Sequence, residues 1–232
     1  MSFLYEELDF RPTPIGDLML RRRRMPQFGE RDIYEVKLGE DFLMTSLFHE
    51  AESQLAKLGL AASEQESLDV MVGGLGLGYT AVEALENSRV ASLVIVEYLE
   101  AVIEWHQTGL VPLGKTLKDD PRCRFLNTDF FALMRGAPAK TYDAILLDID
   151  HTPTNVLHQT NTHFYTEAGL QEMAKHLKPD GIFAMWADGA PEDFFTERLG
   201  KVFASAKAHT IEFDNPITGG TSVGAVYVAQ QK

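Results

Sequence analysis

The sequence holds one cysteine in 232 residues, Cys123. An intrachain disulfide framework is therefore excluded, and a reducing compartment is expected. No apolar run approaches the ~20 residues of a membrane span. Met1–Phe10 is acidic and lacks the basic start and apolar stretch of a secretory signal. Positive charge is scarce, with 21 Lys and Arg against 34 Asp and Glu, a net of −13. That balance speaks against nucleic acid, whose phosphates are bound through cationic contacts. It favours a small cationic ligand, drawn in by the negative field. Repeats and low-complexity tracts are also missing. A soluble, cytoplasmic protein with neither a membrane nor a nucleic-acid partner is the expectation.

What is present divides near Ala61–Leu68. Upstream, prolines and glycines punctuate short segments. Leu18–Arg24, the alternating Asp32–Lys37 and Phe42–Leu47 read as strands, with a hairpin turn at Leu38–Asp41. Phe48–Leu58 reads as a helix, with Phe48, Ala51, Leu55 and Leu58 on one face and Gly59 as its stop. Downstream, short apolar runs alternate with helical stretches. The runs are Leu68–Val72, Leu93–Val96, Cys123–Leu126, Ala144–Leu147 and Ile182–Trp186. Helices are predicted over Tyr79–Glu86, Leu99–Gln107 and Thr166–Leu177. Near-continuous apolar strands separated by helices predict a parallel sheet covered on both faces. Ile211–Phe213 and Ala225–Ala229 have no helix between them, so the sheet should end in an antiparallel pair. The prediction is an α/β chain: a small β-rich region with its connecting helix over 1–60, then a doubly wound, mostly parallel, seven-stranded domain over 61–232.

The strongest motif is Val72-Gly73-Gly74-Leu75-Gly76-Leu77-Gly78, between a strand and a helix. Glycine lets the backbone turn tightly and approach a ligand where a Cβ would collide. Glu97 ends the next strand, 19 residues after Gly78, where an acid binds ribose hydroxyls. Asp129 ends the strand after that and is placed to meet an adenine edge or to cap a helix. Gly74, Gly76, Leu77, Gly78, Glu97 and Asp129 are thus the nucleoside-binding candidates. No Lys or Arg accompanies the loop, and Leu75 and Leu77 suit a thioether or sulfonium arm better than a pyrophosphate.

These residues resemble the spermidine/spermine synthases, which are built on the class I S-adenosylmethionine-dependent methyltransferase fold. The likeness runs from about Leu38 to Ala187. The family's G-G-G-D-G-G-T-x-x-E-x-L is matched by Gly74 through Leu85, its V-E by Val96-Glu97, and its D-P-R by Asp120-Pro121-Arg122. Its Y-D-x-I-x-x-D-S-S-D is matched by Tyr142 through His151, and its Y-H-E by Phe48-His49-Glu50. Phe164-Tyr165 and Leu177–Gly181 echo a further stretch. The departures are Leu77 for the loop aspartate that pairs with the donor ammonium, His151 for the second aspartate of D-S-S-D, and Phe48 for the tyrosine. The family's C-terminal P-x-G-x-W-x-F is absent, with Gly219–Gly224 near its place.

The resemblance implies aminopropyl transfer from decarboxylated S-adenosylmethionine to a small amine or other small nucleophile, in a homodimer. His49, His151 and Tyr165 are carried over to the acceptor side. Asp148 is the candidate base, with Asp150 beside it, since an amine acceptor must lose a proton before it attacks. Leu77 removes a charge that would discriminate against intact S-adenosylmethionine, so methyl transfer from that donor is the alternative. A catalytically silent nucleoside-binding homologue is the third reading. His151, His158 and His163 fit no zinc spacing, and no metal is expected. Arg21–Arg24 reads as a charged edge strand. The short β region is expected to need a neighbouring subunit to pack against.

Overall fold

The computed structural model describes residues 5–232, so the first four residues of the acidic N-terminus lie outside the described part. A four-stranded antiparallel sheet comes first, in the order β1 (Tyr5–Thr13), β2 (Gly16–Arg23), β3 (Ile33–Leu38) and β4 (Asp41–Thr45). Helix α1 (Glu50–Ala61) leads into β5 (Leu68–Gly73), α2 (Tyr79–Glu86), β6 (Val90–Glu97), α3 (Glu100–Thr108), α4 (Gly114–Asp119) and β7 (Cys123–Asn127). There follow α5 (Phe130–Arg135), β8 (Tyr142–Leu147), α6 (Glu167–Ala174), β9 (Leu177–Asp188), α7 (Asp193–Val202), β10 (Ser205–Asp214) and β11 (Thr221–Gln230). The main sheet has seven strands in the order β10-β11-β9-β8-β5-β6-β7, with β11 antiparallel to both its neighbours.

Alternation along the strands builds two cores. In β5, Val70 and Val72 face one side and Met71 the other; in β8, Ala144 and Leu146 oppose Ile145 and Leu147. Helices α1 to α4 cover the first side and α5 to α7 the second. Every residue of β8 is buried, as a parallel strand covered on both faces must be. The chain runs from β5 outward to β6 and β7, then returns to β8 on the other flank of β5. That reversal opens a crevice at the carboxyl ends of β5 and β8, where open α/β sheets bind ligands.

Three expectations change here. The four arginines do not form an edge, because β2 lies between β1 and β3. Arg21 and Arg23 both ion-pair with Glu35, which is fully buried, while Arg22 and Arg24 meet Asp32 on the other face. The apolar face of the N-terminal sheet is packed within the chain itself. Leu18, Leu20, Val36 and Leu38 join the same core as Leu55 and Leu60 of α1. Asp9 of β1 accepts a hydrogen bond from the buried Trp105 indole at 2.7 Å.

Gly59, third, lies inside α1 rather than ending it. A Cβ there would come 2.7 Å from Leu146 Cδ2 and 2.9 Å from Ala184 Cβ, so the helix rides directly on the main sheet. The reason for the glycine is close packing. Gly59→Val is expected to lower unfolding free energy by about 2 kcal/mol or more, through overpacking and lost helix propensity. Urea denaturation checks this, and an unchanged midpoint would show that the sheet yields.

Candidate active site

A cleft of about 570 Å³ lies at the carboxyl ends of β5, β6 and β8 and runs under the N-terminal sheet. Its floor is the glycine turn. Gly74, Gly76 and Gly78 all have positive φ, at 95°, 49° and 94°. A Cβ on Gly74 would strike the main-chain carbonyl of Asp148, and one on Gly76 would strike the thioether of Met44. Gly78 serves a different purpose. It faces away from the cleft, and a Cβ there would come within 2.9 Å of Leu117 and His106.

Each acid in the cleft has a definite anchorage. The carboxylate of Glu97 accepts from the backbone N–H of Leu75 at 3.0 Å and of Leu99 at 2.8 Å. It thereby ties the glycine turn to the next strand–helix junction, and lone pairs remain for ligand hydroxyls. Burial raises its pKa, opposed by these backbone donors. Asp129 caps α5, accepting from Ala132 N–H at 3.1 Å, and also lines the cleft. The cap is thus observed, and the same residue borders the cleft. Asp148 follows β8, and its Oδ2 accepts from the Thr80 hydroxyl at 2.7 Å.

Glu52 went unnoticed in the sequence. It sits in the first turn of α1 and lines the same cleft as Asp148. The Thr80 hydroxyl also lies 3.4 Å from the Glu52 main-chain carbonyl, linking the starts of α1 and α2 to the end of β8. Burial, and then the charge of Asp148, push the Glu52 carboxyl up to about 8. Burial pushes Asp148 up to about 6. The signal for Glu52 was its place four residues before Ala56, on the α1 face that also carries Leu55.

Several candidates lie elsewhere than the sequence suggested. The Leu77 side chain is buried in the core and does not line the cleft. Asp150 is likewise buried, and its carboxylate is taken up internally. It accepts from Leu157 N–H at 2.7 Å, the Asn161 amide at 3.0 Å and the Tyr165 hydroxyl at 2.8 Å. Asp150 and Tyr165 thus knit the polar loop together beneath the cleft wall. His49 stacks flat on Tyr79, with centroids 3.9 Å apart, and does not line the cleft. His151 does line it, as do Trp186 and the tilted pair Phe48 and Phe213. Among the described residues no cluster of three or more His, Cys, Asp or Glu is placed to hold a metal, and no helix is long and apolar enough to cross a membrane.

His106 is a second residue that sequence reasoning passed over. It is fully buried on α3, and its Nε2 lies 2.9 Å from the Gly76 carbonyl. Burial lowers its pKa to about 4, so the neutral ring donates to that carbonyl and props the glycine turn from below.

A sequence model of the Spermine/spermidine synthase domain matches residues 49–199, well over half of the chain. The chain belongs to the spermine/spermidine synthase family. This family member is 27% identical over 174 residues to polyamine aminopropyltransferase 2 of Pseudomonas aeruginosa, covering 71% of the chain and 46% of that protein. It is 34% identical over 125 residues to a polyamine aminopropyltransferase of Mycobacterium tuberculosis, covering 53% of the chain and 23% of the relative. The chain therefore spans under half the length of these two relatives. Its fold matches a spermidine synthase solved with the transition state analogue AdoDATO, with TM-score 0.77, 20% identity, and coverage of 97% of this chain and 74% of that one. Spermidine synthase from Thermotoga maritima matches with TM-score 0.73 at 18% identity.

The raised carboxyls of the cleft have a consequence for stability. An unfolded chain releases the Glu52 proton near the ordinary value of 4.5, whereas the folded family member keeps it towards 8. Folded stability contributed by this group therefore falls as pH rises from about 4.5 to about 8. Glu52→Gln removes that loss. Its melting temperature is expected to exceed that of the wild type at pH 8 and to equal it near pH 4. Calorimetric scans at the two pH values check this, and a pH-independent difference would contradict it.

Proposed function

We propose that this chain transfers an aminopropyl group from decarboxylated S-adenosylmethionine to a small amine, with Asp148 as the base. The observation that carries the reading is the charge of the cleft. Glu52, Glu97, Asp129, Asp148 and Asp188 line it, and no Lys or Arg does among the described residues. Such a cavity attracts cations and repels anions. A sulfonium with a free ammonium suits it, as does an ammonium acceptor. A pyrophosphate does not, and the carboxylate of intact S-adenosylmethionine would meet no cationic side chain. The donor choice that the sequence tied to Leu77 is thus set by the surrounding acids, which favours aminopropyl over methyl transfer. The names of the relatives agree with that reading.

In this reading Gly74 and Gly76 let the nucleoside lie against the backbone, Glu97 holds its ribose hydroxyls and Asp129 faces the base. The donor supplies an activated carbon next to a sulfonium. Asp148 accepts one proton from the acceptor ammonium and frees its lone pair. The nitrogen then bonds to that carbon while the carbon–sulfur bond breaks, its electron pair neutralising sulfur to the thioether of methylthioadenosine. The product keeps its remaining protons as an ammonium, and Asp148 passes its own to water. The raised pKa of Asp148 suits it to both taking and releasing a proton near neutrality. In this reading most of the acceleration falls to orientation.

Asp148→Asn is expected to reduce turnover about 100-fold or more, while methylthioadenosine binding changes by less than about threefold, because Glu97 and the glycines are untouched. Chromatographic assay of methylthioadenosine release, with calorimetric titration of the same variant, tests this. Turnover retained in Asp148→Asn would remove the base from the scheme. A cytoplasmic homodimer completes the proposal. Light scattering showing only a 25.9 kDa species would refute the dimer.

A further inference from the structure

We propose that Glu52 and Asp148 together form a two-carboxylate seat for the ammonium of the acceptor, so that Glu52 is a substrate-binding residue that selects charged over uncharged acceptors. This rests on the aminopropyl-transfer reading of the cleft and adds to it a residue from α1.

Three independent features lead there. First, the Glu52 carboxylate is unpartnered. It is partly buried in the cleft wall, and among the described residues it forms no ion pair and is reached by no hydrogen-bond donor except its own backbone N–H. A group so placed is costly unless a ligand compensates it. Second, Thr80 joins the two acids: its hydroxyl donates to Asp148 Oδ2 at 2.7 Å and lies 3.4 Å from the Glu52 main-chain carbonyl, and both acids line the cleft. Thr80 occupies Asp148 Oδ2, which leaves Oδ1 to share a ligand with Glu52. Two carboxylates in one pocket without a counter-cation repel each other, and a proton or an ammonium relieves the repulsion.

Third, the walls beside the pair suit an alkyl ammonium. Phe48 and Phe213 lie 5.6 Å apart by centroid, and Trp186 completes the aromatic side. Aromatic faces attract cations and pack against methylenes. Asp150 cannot take this part, since its oxygens are already engaged with Leu157, Asn161 and Tyr165. Neither can Leu77, which is sunk in the core. The acceptor is thus an aliphatic amine whose charged nitrogen rests between α1 and the end of β8.

The test is calorimetric binding to the full chain saturated with methylthioadenosine, which separates seating from turnover. The probes are 1,4-diaminobutane and its uncharged counterpart 1,4-butanediol. Wild type should bind the diamine at least tenfold more tightly than the diol. Glu52→Gln should lose at least tenfold in diamine affinity, leave the diol unchanged, and leave methylthioadenosine affinity within about twofold. Glu52→Asp should recover part of the loss. Because Glu52→Gln is expected to be no less stable than wild type, unfolding does not account for such a loss. Equal diamine affinity in wild type and Glu52→Gln would overturn the seat. A loss confined to decarboxylated S-adenosylmethionine, with diamine binding intact, would overturn it too and move Glu52 to the donor. Failure of the underlying reading appears differently, as a diamine that binds through Glu52 yet is never aminopropylated.

Discussion

The contact on which the site depends is between two backbones. Where β5 ends, Gly74 lies so close to the carbonyl of Asp148 that no side chain fits between them. The Asp148 N–H donates to the Gly73 carbonyl at 2.8 Å, and the Gly74 N–H donates to Val96 at 2.9 Å. Strands β8, β5 and β6 are therefore locked together at their carboxyl ends. The glycine turn and the candidate base are held at a fixed separation by main-chain hydrogen bonds, which side-chain motion cannot loosen. His106 below and Glu97 beside the turn fix its remaining polar groups. Rigid placement of this kind suits the proposed displacement, in which bringing the partners into line is most of the work.

The cost of the arrangement is electrostatic. Carboxylates gathered at one end of a sheet, with no lysine or arginine among the described residues of the cleft, cost folded stability until a cation joins them. Elsewhere the protein avoids that cost. Glu35 in the N-terminal sheet is fully buried and lies between Arg21 and Arg23. Asp69 at the other end of β5 is held by Lys140 and Lys178. The contrast is informative: Glu35 and Asp69 have cations beside them and Asp150 has neutral donors, whereas among the described residues no Lys or Arg lines the cleft. Unpaired buried charge is expected to mark functional sites rather than packing.

Much of the main sheet was legible because fully buried parallel strands are short, apolar and separated by helices. Tyr79–Glu86 has the predicted bounds, and the closing antiparallel pair is as read. Strand β1 was not legible, since it lies at the edge of its sheet and shows little apolar alternation. Helices α4 and α5 have six residues each, too few for a periodic pattern to emerge. Helix α7 was available but passed over: Phe195, Leu199 and Val202 stand at helical spacing and all are buried. At the site, local chemistry marked Glu97, Asp129 and Asp148, because each follows an apolar run. Glu52 carries no such mark. It reads as one more acid in the first turn of an amphipathic helix, where acids are common for dipole reasons, and only the packing of α1 on the sheet turns it inward.

That route has a physical advantage over placing the acid on the glycine turn. The turn already devotes its backbone to close approach and its side chains at Leu75 and Leu77 to the core. An aspartate at position 77 would have to abandon that packing to reach the cleft. Helix α1 offers a stiffer platform, because Gly59 lets it lie flush on β8 and β9 and Thr80 joins its first turn to α2. The acid is then carried by an element pressed against the sheet instead of by the glycine turn. Under the proposed function, holding the acceptor and shaping the donor's bed would fall to separate elements, each open to substitution without dismantling the other.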